Sequence, residues 1–163
     1  MTLAHKSIKS FILRQGKITS GQQQAIDQLW PKYGIPYQES LIDLTQHFPR
    51  ISSKIIEIGF GMGNATWQIA ANNPHLDYIG LEVHSPGIGA LLMQIEIHNL
   101  NNLKIIRHDA VEVLKTMIAD NSISGLHIFF PDPWPKKKHH KRRLIQPEFI
   151  NLVCDKLIPG GYI

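Results

Sequence analysis

The sequence is poor in cysteine, with Cys154 as the one example in 163 residues. A single thiol cannot form a disulfide within the chain or a metal site built from several cysteines, so the fold cannot depend on either. Cys154 falls in an apolar stretch with helical spacing, and we expect it to be a buried thiol without a chemical role.

Long apolar runs are also missing. No stretch approaches the roughly 20 apolar residues that a membrane-spanning helix needs, and residues 1–16 lack the apolar core and cleavage site of a secretory signal. We therefore expect a cytoplasmic protein without a membrane partner. A hydrophobic content of 43% fits a globular domain.

Acidic residues are absent from two segments that are rich in bases. Residues 1–26 contain four Lys and Arg residues and no acid, and residues 136–143, here called the basic block, contain six bases and no acid. The remainder has seven bases and thirteen acids, so the net charge of +4 arises locally. This distribution favours a polyanionic partner such as nucleic acid, although a solvated loop and a basic tail would have the same composition.

What the chain does contain is an alternation of short apolar runs with segments of helical spacing. Strands are predicted at residues 54–58, 77–83, 103–109 and 125–130, with a fifth beginning at 159. Helices are predicted at residues 64–73, 87–99, 110–119 and 146–158. The alternation predicts βαβ units and an α/β fold with a parallel, doubly wound sheet.

The first part of the chain is more polar. It has one short predicted helix at residues 21–30, which we expect to stop at Pro31. We therefore divide the chain into a basic N-terminal extension, residues 1–50, and a domain covering residues 51–163.

The loop after the first predicted strand reads GFGMG and contains Gly59, Gly61 and Gly63. Glycines allow a tight turn and a close approach of a ligand to the backbone. The dinucleotide-binding spacing would need a glycine at position 64, which is Asn64. The spacing after Glu57 is instead similar to the first motif of class I S-adenosylmethionine-dependent methyltransferases. Taken alone, the loop leaves nucleotide binding and a purely structural turn open.

Acids follow the next two predicted strands. Glu82 can accept hydrogen bonds from both ribose hydroxyls of a nicotinamide or adenosyl cofactor. Asp109 can bind an adenine edge, cap the helix that begins at Ala110, or do both. Because ligands bind at the carboxyl ends of parallel strands, we expect both acids near the glycine loop.

The fourth predicted strand continues into residues 129–143, which read FFPDPWPKKKHHKRR. Pro131 and Pro133 restrict the backbone around Asp132, so its carboxylate is held just beyond the strand. In this topology that strand adjoins the first one, which predicts Asp132 across a cleft from the glycine loop. A rigid turn with an aspartate bound to backbone amides would have the same sequence.

The basic block can contact phosphates. His139 and His140 are adjacent and have no cysteine or acid pair nearby, so we expect no metal site. Trp134 is expected to pack within its own loop, with stacking on an RNA base as the alternative.

Together these motifs resemble the bacterial tRNA (guanine-N7-)-methyltransferase family. The matching segments are residues 57–70, 78–92, 108–114 and 129–150, and residues 8–34 resemble the N-terminal extension of that family. The resemblance implies a Rossmann-like class I methyltransferase fold, S-adenosylmethionine as cofactor and methylation of a guanine at N7 in the variable loop of tRNA.

The resemblance also implies roles for particular residues. S-adenosylmethionine would be bound by Glu57, Gly59, Gly61, Gly63, Glu82, Asp109 and Asp132. The catalytic residue would be Asp132, and the RNA would be bound by Lys136. From the charge of the basic block we add Arg142 and Arg143 as substrate-binding residues.

One departure from the family pattern concerns the end of the chain. The family continues through two more strands, whereas this sequence stops at Ile163, inside the fifth predicted strand. We therefore expect either a fragment or a sheet that another chain completes. A non-catalytic RNA-binding module and a methyltransferase for a small molecule stay open as alternatives, although the second leaves ten clustered bases without a task.

Overall fold

A computed structural model describes residues 10–11 and 16–163 of the chain. The basic residues Lys6, Lys9 and Arg14 of the predicted extension lie outside the described residues. The described strands are β1 (Gly34–Ile35), β2 (Lys54–Ile58), β3 (Asp77–Leu81), β4 (Leu103–Ile106), β5 (Ile123–His127) and β6 (Leu157–Tyr162). The described helices are α1 (Ser20–Tyr33), α2 (Asn64–Asn72), α3 (Ser85–Ile97), α4 (Ala110–Thr116) and α5 (Pro147–Lys156).

The six strands form one sheet in the order β1-β4-β3-β2-β5-β6, and every neighbouring pair is parallel. This confirms the parallel, doubly wound α/β sheet. The strand order reverses at β2, which lies between β3 and β5. Ligands bind at such a reversal in open α/β sheets, so the loops after β2, β3 and β5 are placed to form a site.

Strand β2 is covered on both faces of the sheet. All five of its residues are buried, as expected for a parallel strand that is covered on both faces. Its successive residues Ile55 and Ile56 belong to two different hydrophobic clusters. One cluster includes residues of α4 and α5, and the other includes residues of α1, α2 and α3. The sheet is thus packed between two helical layers.

A buried ion cluster holds the opposite end of the central strands. Asp77 is fully buried at the start of β3 and contacts Lys54 at 2.9 Å and Arg50 at 2.6 Å. Burial alone would raise the pKa of Asp77, but hydrogen bonds from Arg50, Ser52 and Lys54 outweigh it and hold that pKa below its usual value. These contacts fix the start of β3 beside the start of β2.

Two expectations about helices are wrong. Helix α1 continues through Pro31 to Tyr33 because its last turn is anchored: the Tyr33 hydroxyl donates to Glu96 Oε2 at 2.5 Å, and Lys32 Nζ lies 2.8 Å from the same oxygen. Cys154 is exposed rather than buried. On α5 the neighbouring Val153 faces the core, and the helical turn points the next side chain outward.

The ends of the sheet also differ from expectation. Strand β5 ends at His127, so residues 128–130 lie outside the sheet, and β6 begins at Leu157 rather than at residue 159. The two-residue strand β1 was missed because its pairing with β4 is a tertiary contact. Within the described residues, no helix combines the length and the apolar character required to cross a membrane.

Candidate active site

The loop after β2 takes a backbone path that needs glycine. Gly59, Gly61 and Gly63 have φ angles of 72°, 57° and 75°, in the left-handed region that other residues rarely adopt. A side-chain Cβ at Gly63 would also lie 2.8 Å from Leu91 Cβ on α3. Gly87 of α3 was missed by the sequence reasoning, and a Cβ there would lie 1.9 Å from the Gly61 oxygen. The loop is therefore seated directly on α3.

Glu82 connects this loop to the turn after β3. Its Oε2 accepts a hydrogen bond from the Gly61 N–H at 2.9 Å. Its Oε1 accepts from the Val83 N–H at 2.7 Å and from the His84 N–H at 3.1 Å. Three backbone donors therefore orient the carboxylate, which lies on the wall of a cavity at this end of the sheet.

Glu57, on β2 two residues before Gly59, occupies a different environment. It is only 4% exposed, and it does not line the cavity. Burial raises the pKa of Glu57 to about 6. The Thr66 hydroxyl acts to lower the pKa of Glu57, but the effect of burial is larger. Among the described residues, Thr66 Oγ1 has no partner in hydrogen-bond geometry. His127 is the register partner of Glu57 on β5, and burial lowers the pKa of that histidine, so burial disfavours the charged form of both side chains.

Asp109 is the N-cap of α4. Its Oδ1 accepts a hydrogen bond from the Val111 N–H at 2.9 Å, and the residue is buried, which confirms the predicted capping role. The cavity is lined instead by its neighbours His108 and Ala110. The imidazole of His108 stacks on the ring of Tyr37 with centroids 3.5 Å apart. Sequence reasoning missed this histidine, because the stacking partner is distant in the chain.

The cavity has a volume of about 590 Å³ and brings together residues from three strand ends. Gly59 follows β2, Glu82 follows β3, and Asp132 follows β5. The predicted position of Asp132 across a cleft from the glycine loop is thus confirmed. Asp132 is exposed to solvent within the cavity wall. Gly61, Gly63, Glu57 and Asp109 are not part of the cavity lining.

Trp134 organises the loop that carries Asp132. It has a φ angle of 41° and is only 9% exposed, which confirms that it packs within the loop. Its indole N–H donates to the Ser10 carbonyl at 2.9 Å, so the N-terminal segment reaches the cavity. The Arg142 guanidinium lies 5.1 Å from the centre of the Trp134 ring system, a cation–π distance.

The basic block forms a 3₁₀ helix at Lys137–Arg142. The lysines of the block are exposed; they are Lys136, Lys137, Lys138 and Lys141. Arg142 is half-buried against Trp134, and the Arg143 Nε donates to the Pro133 carbonyl at 3.1 Å. The two arginines therefore also support the Asp132 loop. The described residues contain no cluster of three or more metal-binding side chains.

Comparison with solved structures defines the class of fold. The 16S rRNA methyltransferase KamB superposes with a TM-score of 0.54 at 14% identity, covering 73% of this chain and 54% of KamB. An antibiotic-related methyltransferase superposes with a TM-score of 0.53 at 20% identity, covering 71% of this chain and 57% of its own. The fold is that of the Rossmann-like class I methyltransferases.

Sequence comparison then identifies the family. A family model described as "Putative methyltransferase" matches residues 52–163. The tRNA (guanine-N(7)-)-methyltransferase of Methylobacillus flagellatus is 57% identical over 162 residues, covering 99% of this chain and 68% of the relative. The enzyme of the same name from Chromobacterium violaceum is 56% identical over 157 residues, covering 96% of this chain and 70% of the relative. The chain belongs to the tRNA (guanine-N(7)-)-methyltransferase family.

Proposed function

We propose that the chain transfers a methyl group from S-adenosylmethionine to N7 of a guanine in the variable loop of tRNA. The observation that carries this proposal is the convergence of Gly59, Glu82 and Asp132 on one cavity at the reversal point of the sheet. The names of the relatives support tRNA guanine N7 as the acceptor. A tRNA partner is consistent with a cytoplasmic location, which is part of the proposal.

The residues around the cavity fit an adenosyl cofactor. A volume of about 590 Å³ lies within the usual range for small-molecule sites. A Cβ built on Gly59 or Gly61 would have no atom within 4 Å, so the loop leaves open space for a ligand close to its backbone. A carboxylate has about four acceptor positions, and Glu82 uses three of them on backbone N–H groups. Holding both ribose hydroxyls would therefore require Glu82 to release one backbone contact.

We assign the remaining predicted cofactor residues to supporting roles. Gly61 and Gly63 set the path of the loop, Glu57 is buried on the strand that leads into it, and Asp109 fixes the turn at the start of α4. Asp132 is proposed to face the cofactor as well as the substrate. For Gly61, Gly63, Glu57 and Asp109, supporting roles replace the direct cofactor contacts that the family resemblance implies, because these residues lie outside the cavity lining.

Asp132 is proposed to act through its charge. When bound, the cofactor supplies a methyl group whose bond electrons stay on sulfur as the guanine N7 lone pair forms the new bond, so positive charge moves to the purine. N7 carries no proton, and the residue therefore has no proton to abstract. The carboxylate of Asp132 can accept hydrogen bonds from guanine N–H groups and stabilise the developing cation.

The basic block is proposed to hold the RNA backbone near this carboxylate. Lys136, Arg142 and Arg143 are the proposed substrate-binding residues, with the exposed lysines beside them available for phosphates. Arg142 contacts Trp134, and Arg143 contacts Pro133. Phosphate binding by the basic block would therefore affect the position of the Asp132 loop. We retain residues 1–50 as the extension and residues 51–163 as the methyltransferase domain; the Ser10 contact with Trp134 supports a role for the extension at the site.

Methyl transfer from labelled S-adenosylmethionine to tRNA that lacks modifications tests the proposal. We expect label in the tRNA, with strand scission at N7-methylguanine mapping it to the variable loop. Label in a small molecule but not in tRNA would favour the small-molecule alternative. Tight tRNA binding without transfer would favour an RNA-binding module.

A further inference from the structure

Phe130 is 96% exposed, although it lines the same cavity as Asp132. Burying an aromatic side chain is favourable, so a large ring left in water at a cavity wall marks a surface suited to a ligand. Among the described residues, Phe130 is more exposed than its neighbour Phe129, which is 46% exposed.

The direction of the chain separates the two phenylalanines. Ile128, Phe130 and Asp132 line the cavity, whereas Phe129 does not. The ring of Phe129 lies 5.2 Å from the ring of His127 at the end of β5. Phe130 is therefore on the cavity side of the loop, two residues before the carboxylate.

The nearby Trp134 is already engaged and cannot offer its ring in the same way. It is 9% exposed, its indole N–H is bonded to Ser10, and Arg142 and His139 both lie against its ring. Stacking on a base would require these contacts to break. Phe130 needs no such rearrangement.

We propose that Phe130 stacks on the face of the guanine that receives the methyl group. This inference rests on the proposed function and adds a substrate-binding residue to it. Asp132 would contact the edge of the base while Phe130 covers its face. Bases stack readily on aromatic side chains, and an aromatic face also attracts a cation. Because methylation at N7 gives the purine a positive charge, the ring would bind the methylated base more tightly than the unmethylated one.

Binding of 7-methyl-GMP and GMP tests this proposal without any turnover. Each nucleotide is titrated into the full chain up to millimolar concentrations, and the affinities are measured by fluorescence and calorimetry. We expect the wild type to prefer 7-methyl-GMP. Phe130→Ala and Phe130→Leu should weaken 7-methyl-GMP about tenfold and reduce the preference, whereas Phe130→Trp should retain both.

Phe129→Ala is the matched control, because Phe129 is the adjacent phenylalanine and does not line the cavity. It should leave both affinities unchanged, and thermal melting shows whether each variant is folded. Equal affinities in the wild type and Phe130→Ala would overturn the inference, and so would the absence of any binding by the wild type. The tRNA transfer assay is a separate measurement. If the wild type transfers methyl groups but Phe130→Ala binds both nucleotides as the wild type does, only the stacking proposal is contradicted. If the nucleotide affinities depend on Phe130 but the wild type transfers no methyl group, only the proposed function is contradicted.

Discussion

Three carboxylates near the cavity differ because their surroundings differ. Glu57 is buried with a raised pKa, Glu82 is held by three backbone N–H groups, and Asp132 is exposed on a proline-bounded loop. An exposed carboxylate can meet a substrate. A buried one with few hydrogen bonds is costly when ionised.

Glu57→Gln should make the folded chain more stable at neutral pH. The folded-state pKa of Glu57 is raised from 4.5 to about 6, so the folded state holds a proton that the unfolded state releases between these values. The stabilisation from this group is complete below about pH 4.5 and is lost as the pH rises through about 6. Above that window the ionised group costs about 2 kcal/mol, which the glutamine avoids.

Chemical denaturation of Glu57→Gln at several pH values checks this prediction. The stability difference from wild type should grow between pH 4.5 and pH 6 and then become constant. Glu148→Gln is the control, since Glu148 is exposed on α5. A wild type that gains stability relative to Glu57→Gln over this window would contradict the assigned sign.

Residue-scale prediction from sequence succeeded where spacing alone identifies a strand end. Glu82 and Asp132 follow predicted strands, and both line the cavity. The roles of His108 and Gly87 could not be predicted, because they depend on contact with Tyr37 and with the Gly61 carbonyl. Neither contact leaves a periodic pattern in the sequence.

At the scale of elements, the glycine loop and α3 act as one unit. Gly59 needs glycine only for its φ angle of 72°, since a Cβ there would meet no atom within 4 Å. Gly63 has a similar φ angle of 75° and also lies against Leu91. The two positions therefore separate backbone strain from packing.

Gly63→Ala should be more destabilising than Gly59→Ala. Left-handed backbone strain predicts a loss of about 1 kcal/mol at Gly59. The additional collision with Leu91 raises the expected loss at Gly63 to about 3 kcal/mol. Urea denaturation measures both losses on the same chain. Equal losses would mean that α3 moves away from the loop at little cost.

The basic block is the second element with a testable role. Lys137→Gln with Lys138→Gln should weaken tRNA binding and reduce the slope of log affinity against log salt by about one to two, because up to two phosphate contacts are lost. The charge-preserving pair Lys137→Arg with Lys138→Arg is the control and should keep the slope. Titration at several salt concentrations gives the slopes. An unchanged slope in the glutamine variant would identify these lysines as solvated surface.

Element boundaries were predicted where hydrophobic pattern dominates and missed where tertiary contacts do. Strand β2 has the predicted bounds because its short, mainly apolar run is buried throughout between the two helical layers. Helix α1 continues past Pro31 because Tyr33 and Lys32 are held by Glu96 of α3. Only the assembled sheet and helices create that anchor.

Across the whole molecule, the parallel sheet and the separation of charge follow from the sequence, but the closure of the site does not. The contact between Trp134 and Ser10 joins residues 124 positions apart. It places the N-terminal segment and the Asp132 loop on one cavity, next to the basic block. A substrate that reaches both the cavity and the exposed lysines of the basic block would be large and anionic, which fits tRNA.

Single-turnover transfer by wild type and Asp132→Ala tests whether Asp132 promotes methyl transfer to guanine N7 of tRNA. We expect wild-type transfer and a loss of about 10²- to 10³-fold in rate for the variant. The melting temperature should be unchanged because Asp132 is exposed, and the tRNA affinity should be largely kept because the basic block supplies the phosphate contacts. Asp155→Ala, an exposed aspartate on α5, should transfer at the wild-type rate. Equal rates for wild type and Asp132→Ala would show that Asp132 does not promote the transfer.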